Sequence, residues 1–348
     1  MLKNALLISF AFIGTVVGAG FASGQEAMLY FSAFGTQGIW GAVLGSALML
    51  IAGVTILQLG SFFQAKEHME VLGSISSKVM GWILDIATIV TLFSIGFVMF
   101  AGAGANLNQQ FGLPTWVGSA IMVVLLLLSG LLDVDKLTSV ISFITPLLII
   151  CLLAAFVITL TDMPDNVGQI NEIAQTNPHA SGTFDNWLIT ALNYATLVMI
   201  MDTSMMLVFA GSHMNPAQAG RGGLLGGIIF AVLLMILTFI LFMNMEDIMG
   251  ADMPLLKVFD SMHPAVGVFV SIVIYLMIYN TAVGLFYALG RRLSNDKPGK
   301  FRVYYGIVVL VGFVYWQGVN KSEPLVPLVL FENRNFSLAN VAIATVGL

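Results

Sequence analysis

The sequence predicts an all-α, polytopic helical membrane protein built as a five-plus-five inverted repeat, and three observations carry that prediction. Of the 348 residues 58% are hydrophobic and only 9% charged, against roughly 25% charged in an ordinary soluble domain. So few charges cannot cover a surface that faces water. About ten apolar runs recur along the chain, each near the roughly 20 residues a helix needs to cross a bilayer core of about 30 Å. Lys and Arg gather in alternate connections, following the bias of positive charge toward the cytoplasm.

The spans fall at 5 to 33, 38 to 64, 81 to 107, 114 to 131 and 137 to 160. After a polar stretch they resume at 186 to 210, 219 to 245, 264 to 290 and 303 to 318, with a last run from 325 to 348. Residues 1–160 then form a first five-helix repeat, 161–185 an extracellular loop, and 186–348 a second five-helix repeat. With the N-terminus in the cytoplasm, the inner segments hold Lys3, Lys66, Lys78, Lys136, Arg221, Arg291, Arg292, Lys297, Lys300 and Arg302. The outer ones hold Lys257 and Lys321, an asymmetry of ten against two that one missed span would scramble. The expected location is the plasma (inner) membrane. FENRNFSLAN, at 331 to 340, is too polar for a lipid-facing tenth helix; a disturbed reading frame is expected there, and resequencing the gene tests it. Lys3 and the apolar run behind it resemble a signal peptide with a small-residue cleavage site near Ala22. The run resumes past Gln25 and Glu26, however, and reads as one interrupted span.

Several function classes fall away. Cys151 is the one cysteine and sits in an apolar run, so disulfides contribute nothing. No basic run exists to meet phosphates, which sets nucleic acid aside. His68, His179, His213 and His263 all fall in loops or span ends and form no HExxH motif. GGLLGG, at 222 to 227, lacks the Lys and Ser/Thr of a phosphate-binding loop. Neither an enzyme nor direct ATP drive is expected, and no cofactor beyond a coupling ion, Na⁺ or H⁺.

The first span carries Gly18, Gly20 and Gly24 around Phe21, Ala22 and Ser23, followed by Gln25 and Glu26. Three glycines in seven positions favour an unwound segment. At membrane depth that segment survives only where it faces protein or a hydrated cavity. The alternative is that the glycines merely let helices approach closely, as Gly41 with Gly45 and Gly222 with Gly226 are expected to do. Glu26 favours the break, because a carboxylate at depth costs a few kcal/mol unless it is partnered or wet.

The sixth span places Asn193, Tyr194, Thr196, Asp202, Thr203 and Ser204 in an otherwise apolar stretch without internal Gly or Pro. Asp202 is expected to meet a cation, a protonated amine, a proton or another polar group, or to be satisfied by neighbouring helices. The eighth span brings Tyr279, Asn280 and Thr281 together, oxygen ligands suited to a hard cation. A Thr hydroxyl bonding its own preceding turn is the other use.

The interrupted GTVVGAGFASGQE helix, the five-plus-five count, the polar sixth helix and the hydroxyl-bearing eighth resemble the LeuT-fold transporters of the amino acid–polyamine–organocation superfamily. The VGAGFASGQE string resembles the bacterial YkvI-type membrane proteins. The resemblance implies alternating access around helices one and six. Gly18, Gly20, Phe21, Ala22, Ser23, Gly24 and Gln25 would line the substrate site, facing Tyr194, Thr196 and Asp202. Glu26 and Asp202 would be the titrating groups. Ala19 and Ala22, through their carbonyls, would hold Na⁺ together with Asn280 and Thr281. MPLLKVFD, at 253 to 260, would cap the pathway. The sixth helix lacks the small glycine-containing break usual in that superfamily, and its Asp202 points instead to a cationic substrate or proton coupling.

The function expected is cation-coupled symport of an amino acid or similar small polar solute. A non-transporting membrane nutrient receptor using the same pocket is the other reading. The partners are a small-molecule substrate and the lipid bilayer, with a homo-oligomer left open.

Overall fold

Lipid offers no hydrogen bonds to a backbone, so an apolar chain in a membrane satisfies its own amides by coiling. The computed structural model describes residues 2–65, 71, 74, 78–130, 134–164, 166–176, 184–211, 215–294 and 298–319. Among these every regular element is helical. The first expected span divides into α1 (Leu2–Val16), α2 (Ala19–Ser23) and α3 (Gln25–Tyr30), followed by a 3-10 turn at Ser32–Phe34. Next come α4 (Thr36–Phe63), α5 (Lys78–Phe111), α6 (Thr115–Ser129) and α7 (Val134–Thr161). A short α8 (Val167–Thr176) lies in the polar stretch. Then follow α9 (Trp187–Gly211), α10 (Pro216–Met243), α11 (Met245–Ile248), α12 (Pro254–Met262), α13 (Pro264–Ser294) and α14 (Pro298–Val319). Pro216, Pro254, Pro264 and Pro298 each open a helix, where the missing N–H goes unneeded.

The nine spans expected between residues 5 and 318 each fall on a helix or on the divided first segment. The run from 325 onward, and with it the reading-frame expectation, lies outside the described residues. Among the described residues, five unbroken helices are long and apolar enough to cross a membrane, and α9 makes a sixth when its two arms count as one span.

The burial pattern of α4 differs from that of a soluble helix. Its buried face carries Gly38, Gly41, Ala42, Gly45, Ser46, Gly53, Gly60 and Ser61 with Met49 and Leu57 among them, while Trp40, Ile51 and Phe62 are exposed. Small residues predominate on the side that faces protein, because between membrane helices close packing replaces hydrophobic burial.

The chain forms two compact units. The first comprises Met1–Leu92 with Leu132–Thr281. In it α10 packs against α1 and α4, and α4 also packs against α9. A Cβ on Gly222 would lie 2.5 Å from Ile8 Cβ, and one on Gly226 would lie 3.0 Å from Phe12 Cδ1, so α1 and α10 meet as closely as the small-residue reading expects.

The second unit comprises Phe93–Leu131 with Ala282–Leu348. Here Ser119 Oγ donates to Phe100 O at 2.7 Å, and the Ser129 and Tyr305 hydroxyls join α6 to α14 at 3.2 Å. The ring of Phe100 packs on Phe286 and Phe313.

Candidate functional site

The sequence-derived site residues all lie in the first unit, on the segment from Gly18 to Glu26, on α9 and on the stretch of α13 up to Thr281. The glycine-rich segment breaks the first span twice. Gly18 is extended, with φ −98° and ψ −166°, and separates α1 from α2. Gly24 adopts φ 81°, in the left-handed region, and separates α2 from α3. Between them Ala19–Ser23 form a single helical turn. Gly20 therefore lies inside a turn of helix, where an unwound backbone was expected.

Each break is held by a distant element. The Ala19 amide, freed at the first break, donates to Thr281 Oγ1 of α13 at 3.1 Å. At the second, a Cβ on Gly24 would lie 2.9 Å from the Leu255 amide nitrogen, so α12 sits directly on the chain there. Gln25, exposed, donates from Nε2 to Asp252 O at 2.6 Å and fastens the connection leading into α12. The expected cap at 253 to 260 is thus in contact with the break.

Glu26, on the first turn of α3, is partly buried, and its carboxylate folds back over Gly20. The Tyr194 hydroxyl of α9 donates to Glu26 Oε2 at 3.3 Å. The Tyr194 ring is fully buried and packs between Tyr30, at 5.1 Å, and Phe31, at 5.0 Å. Asp202 lies two helical turns farther along α9 and is partly buried. Among the described residues neither Glu26 nor Asp202 has a basic hydrogen-bond partner.

At Asp202 the helix is bent and not unwound: the arms Trp187–Ile200 and Met205–Gly211 meet at 50°. Thr203 Oγ1 donates to Met199 O one turn back, and a hydroxyl competing for a helical carbonyl in this way bends helices without Gly or Pro. The Ser204 side chain lies outside the described residues.

Other expected residues stand apart from this polar cluster. Thr196 is exposed and donates to Leu192 O within α9 at 2.9 Å. Two positions along a helix turn a side chain by about 200°, so Thr196 points away from the face that carries Tyr194. Phe21 is buried against the Phe230 ring at 5.9 Å, and Ala22 is fully buried. Ser23 Oγ donates to Gly20 O at 3.1 Å. Asn280 is 8% exposed, beside Thr281. Tyr30 and Phe31 were absent from the sequence reading. Tyr30 stands four residues after Glu26, the helical spacing that puts both on one face.

No protein-family model matches the chain. It is 24% identical to the uncharacterised membrane protein YkvI of Bacillus subtilis (strain 168) over 311 residues, covering 89% of this chain and 87% of YkvI. Among solved structures, a mutant of the manganese transporter of Eremococcus coleocola superposes with a TM-score of 0.58 at 16% identity, covering 89% of this chain and 70% of that one. The inward-facing conformation of Mhp1 superposes with a TM-score of 0.57 at 11% identity, over 94% of this chain and 74% of Mhp1. The chain has the LeuT-type fold of a polytopic helical membrane protein and resembles YkvI. Transport is the activity named for the Eremococcus coleocola protein itself.

Proposed function

We propose that the chain is a secondary transporter of the plasma membrane, with its N-terminus cytoplasmic, which couples movement of Na⁺ or H⁺ to symport of an amino acid or similar small polar solute. The observation that carries this reading is the Tyr194–Glu26 hydrogen bond, which joins the twice-broken first span to α9 just before its bend. A carboxylate at membrane depth costs a few kcal/mol unless partnered or wet; Glu26 has the Tyr194 hydroxyl as a donor, and Asp202 stands at the bend of α9. A proton or a metal cation arriving at Glu26 or Asp202 relieves that cost. A coupling ion shifts a conformational equilibrium only by binding one state better than another, and groups carried by a broken helix and a bent helix change their spacing when either moves.

In this reading the carbonyls of Ala19 and Ala22, with Asn280 and Thr281, form the Na⁺ site. Gly18, Gln25, Glu26, Tyr194 and Asp202 face the solute, and residues 1–160 and 186–348 are inverted repeats. The LeuT-type fold supports the arrangement.

The test is uptake into proteoliposomes of the purified protein. Radiolabelled amino acids are offered singly under an imposed Na⁺ gradient, an imposed proton gradient, or neither. Accumulation driven by one gradient is expected; binding of a labelled amino acid without uptake under any gradient would make the protein a receptor.

A further inference from the structure

Gly20 was read from the sequence as part of an unwound, solute-lining segment, and its surroundings give it a different task. It lies within the α2 turn, and its φ is not among the positive values found at Gly24, Gly35, Gly112 and Gly250. Its backbone is one that any L-residue adopts. What demands glycine is a neighbour: a Cβ there would lie 2.1 Å from Glu26 Oε1, 2.6 Å from Cδ and 2.6 Å from Cγ. These are the three nearest atoms, and all belong to one side chain. Carbon and oxygen atoms do not approach so closely without strong repulsion.

We infer that Gly20 is a positioning residue for Glu26: its bare Cα is the seat in which the Glu26 side chain lies, and this seat holds the carboxylate against the Tyr194 hydroxyl. Any side chain at position 20 displaces the carboxylate. The obstacle is the end of a flexible side chain, so Gly20→Ala moves Glu26 and leaves the fold standing. The seat itself is a matter of shape. Its importance for ion coupling rests on the proposed function.

A double-mutant cycle separates the seat from a general need for glycine, because only residues that touch fail to add. Melting temperatures are measured for the purified full-length chain as wild type, Gly20→Ala, Glu26→Ala and the double variant. Gly20→Ala lowers the melting temperature by several degrees when Glu26 is present and by nothing further in the Glu26→Ala background, where the new methyl enters vacated space. Equal losses in both backgrounds would overturn the inference. The same proteins are then melted in sodium chloride against potassium chloride, and across pH. Gly20→Ala is expected to lose whatever ion dependence Glu26→Ala loses, and retention of that dependence overturns the positioning role. Wild-type vesicles that accumulate no amino acid under any gradient would defeat the transport reading alone, since the melting cycle still reads the seat.

Discussion

Ala19 and Thr281 stand 262 positions apart in the chain and are joined by one hydrogen bond, the Ala19 amide donating to Thr281 Oγ1 at 3.1 Å. The break at Gly18 leaves that amide without a helical acceptor, and α13 supplies one. A hydroxyl oxygen has two lone pairs, so Thr281 can hold the broken end and still present an oxygen to a cation.

Thr281→Val keeps the shape and removes the acceptor. Leaving a buried amide unpaired costs about 1–3 kcal/mol, so the variant is expected to melt several degrees below wild type, with Thr281→Ser restoring most of the loss. If Thr281 also binds Na⁺, the valine variant additionally loses any stabilisation by sodium chloride over potassium chloride. Equal melting temperatures for Val, Ser and Thr would remove the link from the account of the break.

Tyr194→Phe deletes the hydroxyl that bonds Glu26 and keeps the ring between Tyr30 and Phe31. At 3.3 Å the bond is long, and its net contribution is about 0.5–1.5 kcal/mol. The expected result is a fall in melting temperature, with a larger relative loss of gradient-driven uptake than of solute exchange in vesicles without a gradient. Parallel loss of both would assign Tyr194 to packing only.

Asp202→Asn keeps the size of the side chain at the bend of α9 and removes its charge. Impaired ion-coupled uptake is expected, with the fold intact by circular dichroism. Unchanged uptake in proteoliposomes would take Asp202 out of the mechanism.

The helices were legible because hydropathy and the period of membrane spans act residue by residue: every run expected between 5 and 318 became a helix or the divided first span. Gly24 was legible as a break point because its left-handed backbone needs what glycine supplies; Gly18 is extended backbone open to any residue, and it was legible only through the low helix propensity of the glycine cluster. Gly20 was not, because its glycine answers to the Glu26 side chain, a contact no local pattern encodes. The bend at Asp202 carries no Gly or Pro; its signal was Thr203, whose hydroxyl turns back on Met199. Thr196 was grouped with Tyr194 by the resemblance to the LeuT-fold transporters. Helical geometry separates them, and Thr196→Val is accordingly expected to leave uptake and melting temperature unchanged.

At Gly24 backbone conformation and a backbone neighbour both oppose a side chain. At φ 81° an L-residue meets its own following carbonyl, costing roughly 1–2 kcal/mol. Its Cβ would also lie 2.9 Å from the Leu255 amide nitrogen and 3.1 Å from Leu255 Cβ. Here the obstacle is backbone, so relief requires α12 to move. Gly24→Ala is therefore expected to lower the melting temperature more than Gly20→Ala, and Glu26→Ala does not rescue it because Glu26 is not what it strikes. Gln25→Ala loses only the exposed bond to Asp252 O, worth about 0.5–1.5 kcal/mol, and should melt close to wild type. If α12 caps the pathway, Gly24→Ala also raises leak of preloaded amino acid from vesicles while Gln25→Ala raises it less. Gly24→Ala with wild-type stability and wild-type leak would show that the contact between the second break and α12 holds nothing shut.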